Sequence, residues 1–310
     1  VYKRQSVHLE IPMGWKVSPE VVDFQMTFKG EEANFFFTVS PTKEQSEGYI
    51  KPVVMIEGEK FDKTMVEINY DHIPKQSVLL PAESKVVRLN LVKKGHSIGY
   101  IKGAGDEVPK YLKQIGYKVT EVLPQNISTD LLQQFDAVIM GIRAYNTVPE
   151  LKLKQAAILD YVHQGGNIIV QYNTNRSLVV EDNLAPYMLE LSRDRITDEN
   201  AKVSFLNKDH EVLNYPNKIT TKDFDGWVQE RGLYFPNKWA NEFSPVLSFQ
   251  ENGDDPMEGS LLVAKYGEGY YIYTGLSFFR ELPAGVPGAY KLLTNMISIG
   301  KNDFETDLKE

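Results

Sequence analysis

Apolar and polar side chains alternate in short stretches over the first 94 residues, as where Val7, Leu9 and Ile11 flank His8 and Glu10. The same pattern recurs over 21–28, 34–39, 51–56, 65–68 and 85–91. A period of two puts every second side chain on one face of a pleated strand, so each stretch is a predicted strand. Pro12, Pro19, Pro41, Pro52, Pro74 and Pro81 punctuate them. Short strands at regular spacing, with turn signals and no helical period, predict an antiparallel β-sandwich of immunoglobulin type. Residues 92–96 are the expected linker, which sets domains at 1–94 and 95–310.

From Ser97 the period changes. Residues 97–101 form a short apolar run, and 106–115 carry apolar side chains at helical spacing closed by Gly116. The step repeats, with strands expected over 117–123, 136–141 and 167–172 and helices over 128–135 and 149–164. Such alternation, joined by right-handed crossovers, predicts an open parallel sheet with helices on both faces. The stretch 174–257 reads as irregular, 259–265 and 269–275 as a hairpin, and 287–299 as a closing helix.

Composition narrows the chemistry. The 310 residues are 42% hydrophobic and 25% charged, an ordinary globular balance, with a net charge of −8 and no basic block, which argues against nucleic acid as a partner. No apolar run reaches 18 residues, so no membrane insertion is expected. The complete lack of Cys removes thiol catalysis, disulfides and thiolate metal sites together. The five His residues form no paired motif, and neither a metal nor another cofactor is expected, although Asp209-His210-Glu211 and Asp223-Phe224-Asp225 offer oxygen and imidazole donors.

Four stretches carry a family resemblance. They are Gly99-Tyr100-Ile101-Lys102-Gly103, Gly141-Ile142-Arg143-Ala144-Tyr145-Asn146, the run from Phe224 to Pro236, and the run from Tyr273 to Pro283. They resemble the carboxyl-terminal region of Bacteroidetes proteins of the LmbE/PIG-L deacetylase family. The resemblance implies a flavodoxin-like fold of the class I glutamine-amidotransferase or ThuA type, following a zinc deacetylase domain. The deacetylase's own His-Pro-Asp-Asp and His-x-x-His motifs are absent from this chain. It also implies an upstream deacetylase domain of the same polypeptide as partner, a carbohydrate-related ligand and an extracytoplasmic location.

An amidotransferase places a Cys on a tight strand-to-helix turn. At the corresponding end of the strand over 167–172 this chain has Asn173, so no catalytic residue is expected. No Gly-x-Ser-x-Gly elbow exists, and neither Ser177 nor Ser277 has a motif partner. Gly103-Ala104-Gly105-Asp106 lies where a phosphate loop would, but Asp106 repels phosphate and reads better as a helix cap.

The candidate ligand-binding residues are strand-end groups. Arg143, Tyr145 and Asn146 follow the third strand, and Asn173, Asn175 and Arg176 the fourth, so all six open on one sheet edge. Guanidinium, amide and phenol groups suit a sugar or a carboxylated glycan, while the same residues also satisfy loop carbonyls and cap helices. Trp227, Glu230 and Arg231, with Arg280 and Glu281 beside Phe279, read either as part of that rim or as core aromatics with ordinary ion pairs. A carboxylate pair such as Glu230 and Glu281 keeps a sugar-directed hydrolase as the alternative, with a structural spacer as the third reading.

Overall fold

A computed structural model describes residues 5–180 and 183–301 of the chain. Two compact units emerge, Val1–Asn90 and Leu91–Glu310. The first is β-rich. Its strands are β1 (Gln5–Glu10), β2 (Lys16–Ser18), β3 (Val21–Phe24), β4 (Thr38–Ser40), β5 (Ser46–Ile56), β6 (Glu59–Phe61), β7 (Lys63–Ile68), β8 (Gln76–Pro81) and β9 (Ser84–Arg88). An antiparallel sheet runs β3-β1-β5-β6, with β9 pairing the start of β5; β2–β4 and β7–β8 are separate ribbons. The alternating pattern marks β1, β3, β5, β7 and β9. It misses β2, β6 and β8, and Pro52 sits inside β5 opposite Leu9 instead of ending a strand. Only Val7 and Val53 are fully buried apolar residues among those described in this unit.

The second unit is α/β. In chain order it contains β10 (Ser97–Ile101), α1 (Val108–Gln114), β11 (Lys118–Glu121), α2 (Thr129–Leu132), β12 (Ala137–Met140), α3 (Ala144–Thr147), α4 (Leu151–His163) and β13 (Asn167–Gln171). There follow β14 (Leu189–Ile196), β15 (Lys202–Phe205), α5 (Glu211–Asn214), β16 (Gly232–Trp239), β17 (Phe243–Pro245), β18 (Leu247–Gln250), β19 (Leu261–Tyr266), β20 (Gly269–Thr274), α6 (Phe278–Glu281) and α7 (Pro287–Ser298). One seven-stranded sheet has the order β11-β10-β12-β13-β20-β19-β17; its first five strands are parallel, and β19 alone runs against them, pairing antiparallel with both β20 and β17.

The core of this unit follows from strand composition. Ile98, Tyr100, Ile101, the whole of Ala137–Met140 and Ile168–Val170 are buried, as expected of central parallel strands covered on both faces. The expected hairpin over 259–275 does form, and it extends the parallel sheet as β19 and β20. The stretch read as irregular instead holds two ladders, β14–β16 and β15–β18. Residues expected as a linker are tied to this unit: Val92 exchanges hydrogen bonds with Asn217, and Lys94 N–H donates to Ser298 Oγ.

Candidate functional site

Parallel strands β10, β12, β13 and β20 bring their carboxyl ends to one edge of the sheet, and the loops that follow them form the candidate site. After β12 the chain passes through Arg143 at φ 57°, ψ 24°, a left-handed turn that starts α3. The loop after β13 is stitched to it. Asn173 is fully buried: its Oδ1 accepts from Tyr145 N–H (2.9 Å), its Nδ2 donates to Gln171 O (2.9 Å), and its amide N–H donates to Tyr273 OH (3.2 Å). Asn146 completes the clamp by donating to Thr174 O and Arg176 O and accepting from Thr174 N–H. The buried Tyr145 hydroxyl donates to Gln155 on α4.

The six strand-end residues therefore do converge, but three of them are turned inward. Asn173, Tyr145 and Asn146 hold two loops together and present no free donor to a ligand. Arg143, Asn175 and Arg176 remain exposed. Asn173→Ala leaves Tyr145 N–H and Gln171 O unpaired in the interior, and we expect it to lower unfolding free energy by about 2–3 kcal/mol, measurable as a lowered urea midpoint.

The residues of the loop before β16 and of α6 form a second cluster. Trp227 belongs to the core at 3% exposure, its indole N–H donating to Asp223 O (3.1 Å) and its ring stacked on Phe224. Arg231 is buried with it. Its guanidinium lies over Phe224, Trp227 and Phe249 and donates to the carbonyls of Ala201 and Phe224. Glu230 is buried between two guanidiniums, at 2.7 Å from Arg195 and 3.0 Å from Arg280. Arg280 also donates to Gln229 Oε1 (2.7 Å). Glu281 is fully buried; Oε2 accepts from Val228 N–H (3.0 Å) while Oε1 has no partner. Burial pushes the Glu281 carboxyl up to about 8, against the pull of Val228 N–H, Arg231 and Arg280 and with help from Glu230.

Between these clusters lies an aromatic group of which the sequence marks only Phe279. Tyr172, immediately after β13, stacks parallel to Tyr234 (6.1 Å between centroids) and meets Phe279 at 5.5 Å. Arg280 lies over the Phe279 ring at 4.8 Å. Burial raises the Tyr172 hydroxyl above the ordinary phenol range, and Arg143 and Arg280 oppose that rise, so both guanidiniums act on this one ring. Tyr234 and Phe279 are partly exposed. Tyr234 sits at φ 53°, a backbone state that no hydrophobic pattern reports.

Other candidate groups have structural employment. Asp106 accepts from the Tyr100 hydroxyl (2.6 and 2.7 Å), Val108 N–H (3.0 Å) and Ile142 N–H (3.2 Å), so it fastens β10 and β12 loops while supporting the start of α1. A Cβ on Gly103 would lie 2.1 Å from Ile142 O, so close loop packing requires that glycine. His210 Nδ1 accepts from Val212 N–H to cap α5, and Asp223 joins a capping box with Thr220 and an ion pair with Lys291. Among the described residues no three His, Asp or Glu side chains gather as a metal site, and no helix is long and apolar enough to cross a membrane.

No family model matches this chain, and no curated protein does. Among solved structures it is similar to a GMP synthase component from Thermoplasma acidophilum (12% identity, TM-score 0.44, 66% of this chain and 94% of that one). It is also similar to a ThuA-like protein from Bacteroides uniformis (15%, 0.43, 67% and 93%) and to β-galactosidase from Bacillus circulans sp. alkalophilus (12%, 0.42, 66% and 31%).

Proposed function

We propose that this chain is a non-catalytic binding portion of a larger polypeptide, its α/β unit a ThuA- or amidotransferase-like domain of flavodoxin-like topology that holds a carboxylated sugar at its strand ends. The observation that carries this reading is the group of partly exposed Tyr234, Phe279 and Arg280 packed at the buried Tyr172 ring, with exposed Arg143 in the adjoining loop, its N–H bonded to Tyr172 O. Guanidiniums pair with a carboxylate, and aromatic faces stack on a pyranose ring. The nucleophile position supports the same reading, because Asn173 there is buried and spends its amide on the backbone. Glu230 is neutralised by two arginines and Glu281 is buried, which weighs against acid/base work by this pair on a glycosidic bond. In this proposal the upstream partner is a deacetylase domain of the LmbE/PIG-L type, the β-rich unit is an immunoglobulin-like spacer, and the protein works outside the cytoplasm.

The test is a thermal-shift series with a uronic acid, acetylated amino sugars and their deacetylated products. A carboxylated sugar at a hundred times its Kd stabilises by about 2.7 kcal/mol, a readable rise in Tm. Arg143 is exposed and outside the loop clamp, so Arg143→Ala is expected to abolish that rise while moving the unliganded Tm by no more than an ordinary surface change. If no sugar shifts the Tm, the strand ends are no sugar site and the unit is a spacer.

A further inference from the structure

Strands β7 and β8 form a two-stranded ribbon that pairs with no other strand among the described residues. Neither of its faces is covered: Met65 is 59% exposed, Leu79 62% and Leu80 45%, with Val66 and Val78 also open to solvent. A lone hairpin is marginal in water, and a free strand edge is a template for another strand. The two edges differ in charge. β7 carries Lys63 and Glu67, whereas Gln76-Ser77-Val78-Leu79-Leu80-Pro81 has no charged residue. Charged side chains are the usual guard against edge pairing, and β8 lacks them in a chain of net charge −8.

Register decides what fits this edge. Ala82 N–H donates to Asp62 O (2.9 Å) just beyond the ladder. Hydrogen-bonded and non-bonded pairs alternate along antiparallel strands, so Leu80, Val78 and Gln76 turn their amides toward β7. Ser77 and Leu79 turn their amides, and Pro81 its carbonyl, to the open side. A second β8 laid antiparallel about a two-fold axis through Leu79 meets that side with complementary groups. Leu79 faces its own copy and the two exchange N–H···O bonds. Val78 faces Leu80 of the second copy, and Ser77 N–H meets the carbonyl of its Pro81. Proline's missing N–H ends the pairing there. An axis through Val78 sets Leu80 against Gln76 instead, so the register centred on Leu79 matches apolar with apolar best.

We infer that this chain self-associates through β8, two copies joining their ribbons into a four-stranded antiparallel sheet centred on Leu79. The contact is isologous and small, so the dimer forms reversibly with concentration. Sedimentation velocity of the full chain over a concentration series tests it. The unmodified chain is expected to shift from monomer to dimer as concentration rises. Leu79→Lys and Leu79→Glu each remain monomeric, because like charges then stand opposite each other, and mixing the two variants restores the dimer. That restoration rules out misfolding as the reason for either loss. The chain has no cysteine, so Leu79→Cys supplies a single thiol that mild oxidation links into dimers, while Lys63→Cys on the far edge does not. A chain that stays monomeric throughout, a dimer that survives Leu79→Lys, or a Leu79→Cys chain that fails to cross-link overturns the inference; binding of this edge to some other partner would then have to be sought.

Discussion

Trp227→Ala is expected to lower the unfolding free energy of the α/β unit by about 3–5 kcal/mol, the cost of removing a large buried aromatic and leaving a cavity. The indole is 3% exposed and touches Phe224 at 5.4 Å and Phe278 at 6.3 Å between ring centroids. Its loss also strands Asp223 O, which accepts the indole N–H, and takes one of three aromatic faces from the buried Arg231 guanidinium. An exposed sugar platform behaves differently: truncating it weakens ligand binding and leaves stability within about 0.5 kcal/mol. Urea unfolding followed by circular dichroism separates the two, and an unchanged midpoint would remove Trp227 from the core. Trp227→Phe keeps the stacking on Phe224 and gives up only the hydrogen bond and part of the volume, so its loss should be clearly smaller than that of alanine.

The contrast between Trp227 and Tyr172 shows what the sequence makes legible. Continuous apolar runs mark β10, β12 and β13 because central parallel strands are buried on both faces, and this pattern survives without knowledge of any partner. The ladders of β14 with β16 and β15 with β18 were illegible for the opposite reason. Each joins segments far apart in the chain, and β14–β16 has three register shifts that erase a clean period. At the strand ends the loops carrying Arg143 and Asn173 meet because topology alone brings them to one edge. Which way an amide turns is set by tertiary packing: Asn173 reads as a ligand group in sequence and is a buried loop clamp in the fold. Likewise Glu230, Arg231, Arg280 and Glu281 are visible as charges, but the pairing of Glu230 with Arg195 depends on β14, which no local pattern predicted.

Glu281 gives the second large effect, and its sign is opposite to that of most carboxylates. An unfolded glutamate loses its proton near 4.5, while burial holds the folded carboxyl's proton to about 8. Between those values the folded state binds more protons than the unfolded one, so this group's contribution to stability is whole at low pH and is lost as pH rises from about 4.5 to about 8. Each tenfold change in proton affinity is worth about 1.4 kcal/mol, which puts the loss across this window at about 3–5 kcal/mol. Glu281→Gln keeps an oxygen for Val228 N–H and cannot ionise. The variant is therefore expected to match the unmodified chain near pH 4.5 and to exceed it increasingly up to pH 8, when both are unfolded with urea at several pH values. Parallel profiles would show instead that Arg231 and Arg280 hold the carboxyl ionised in the folded state. The same carboxyl ties α6 to the 225–230 loop, whose Gln229 and Glu230 grip Arg280. Ionisation of Glu281 thus acts on the element that carries Arg280 to the strand ends.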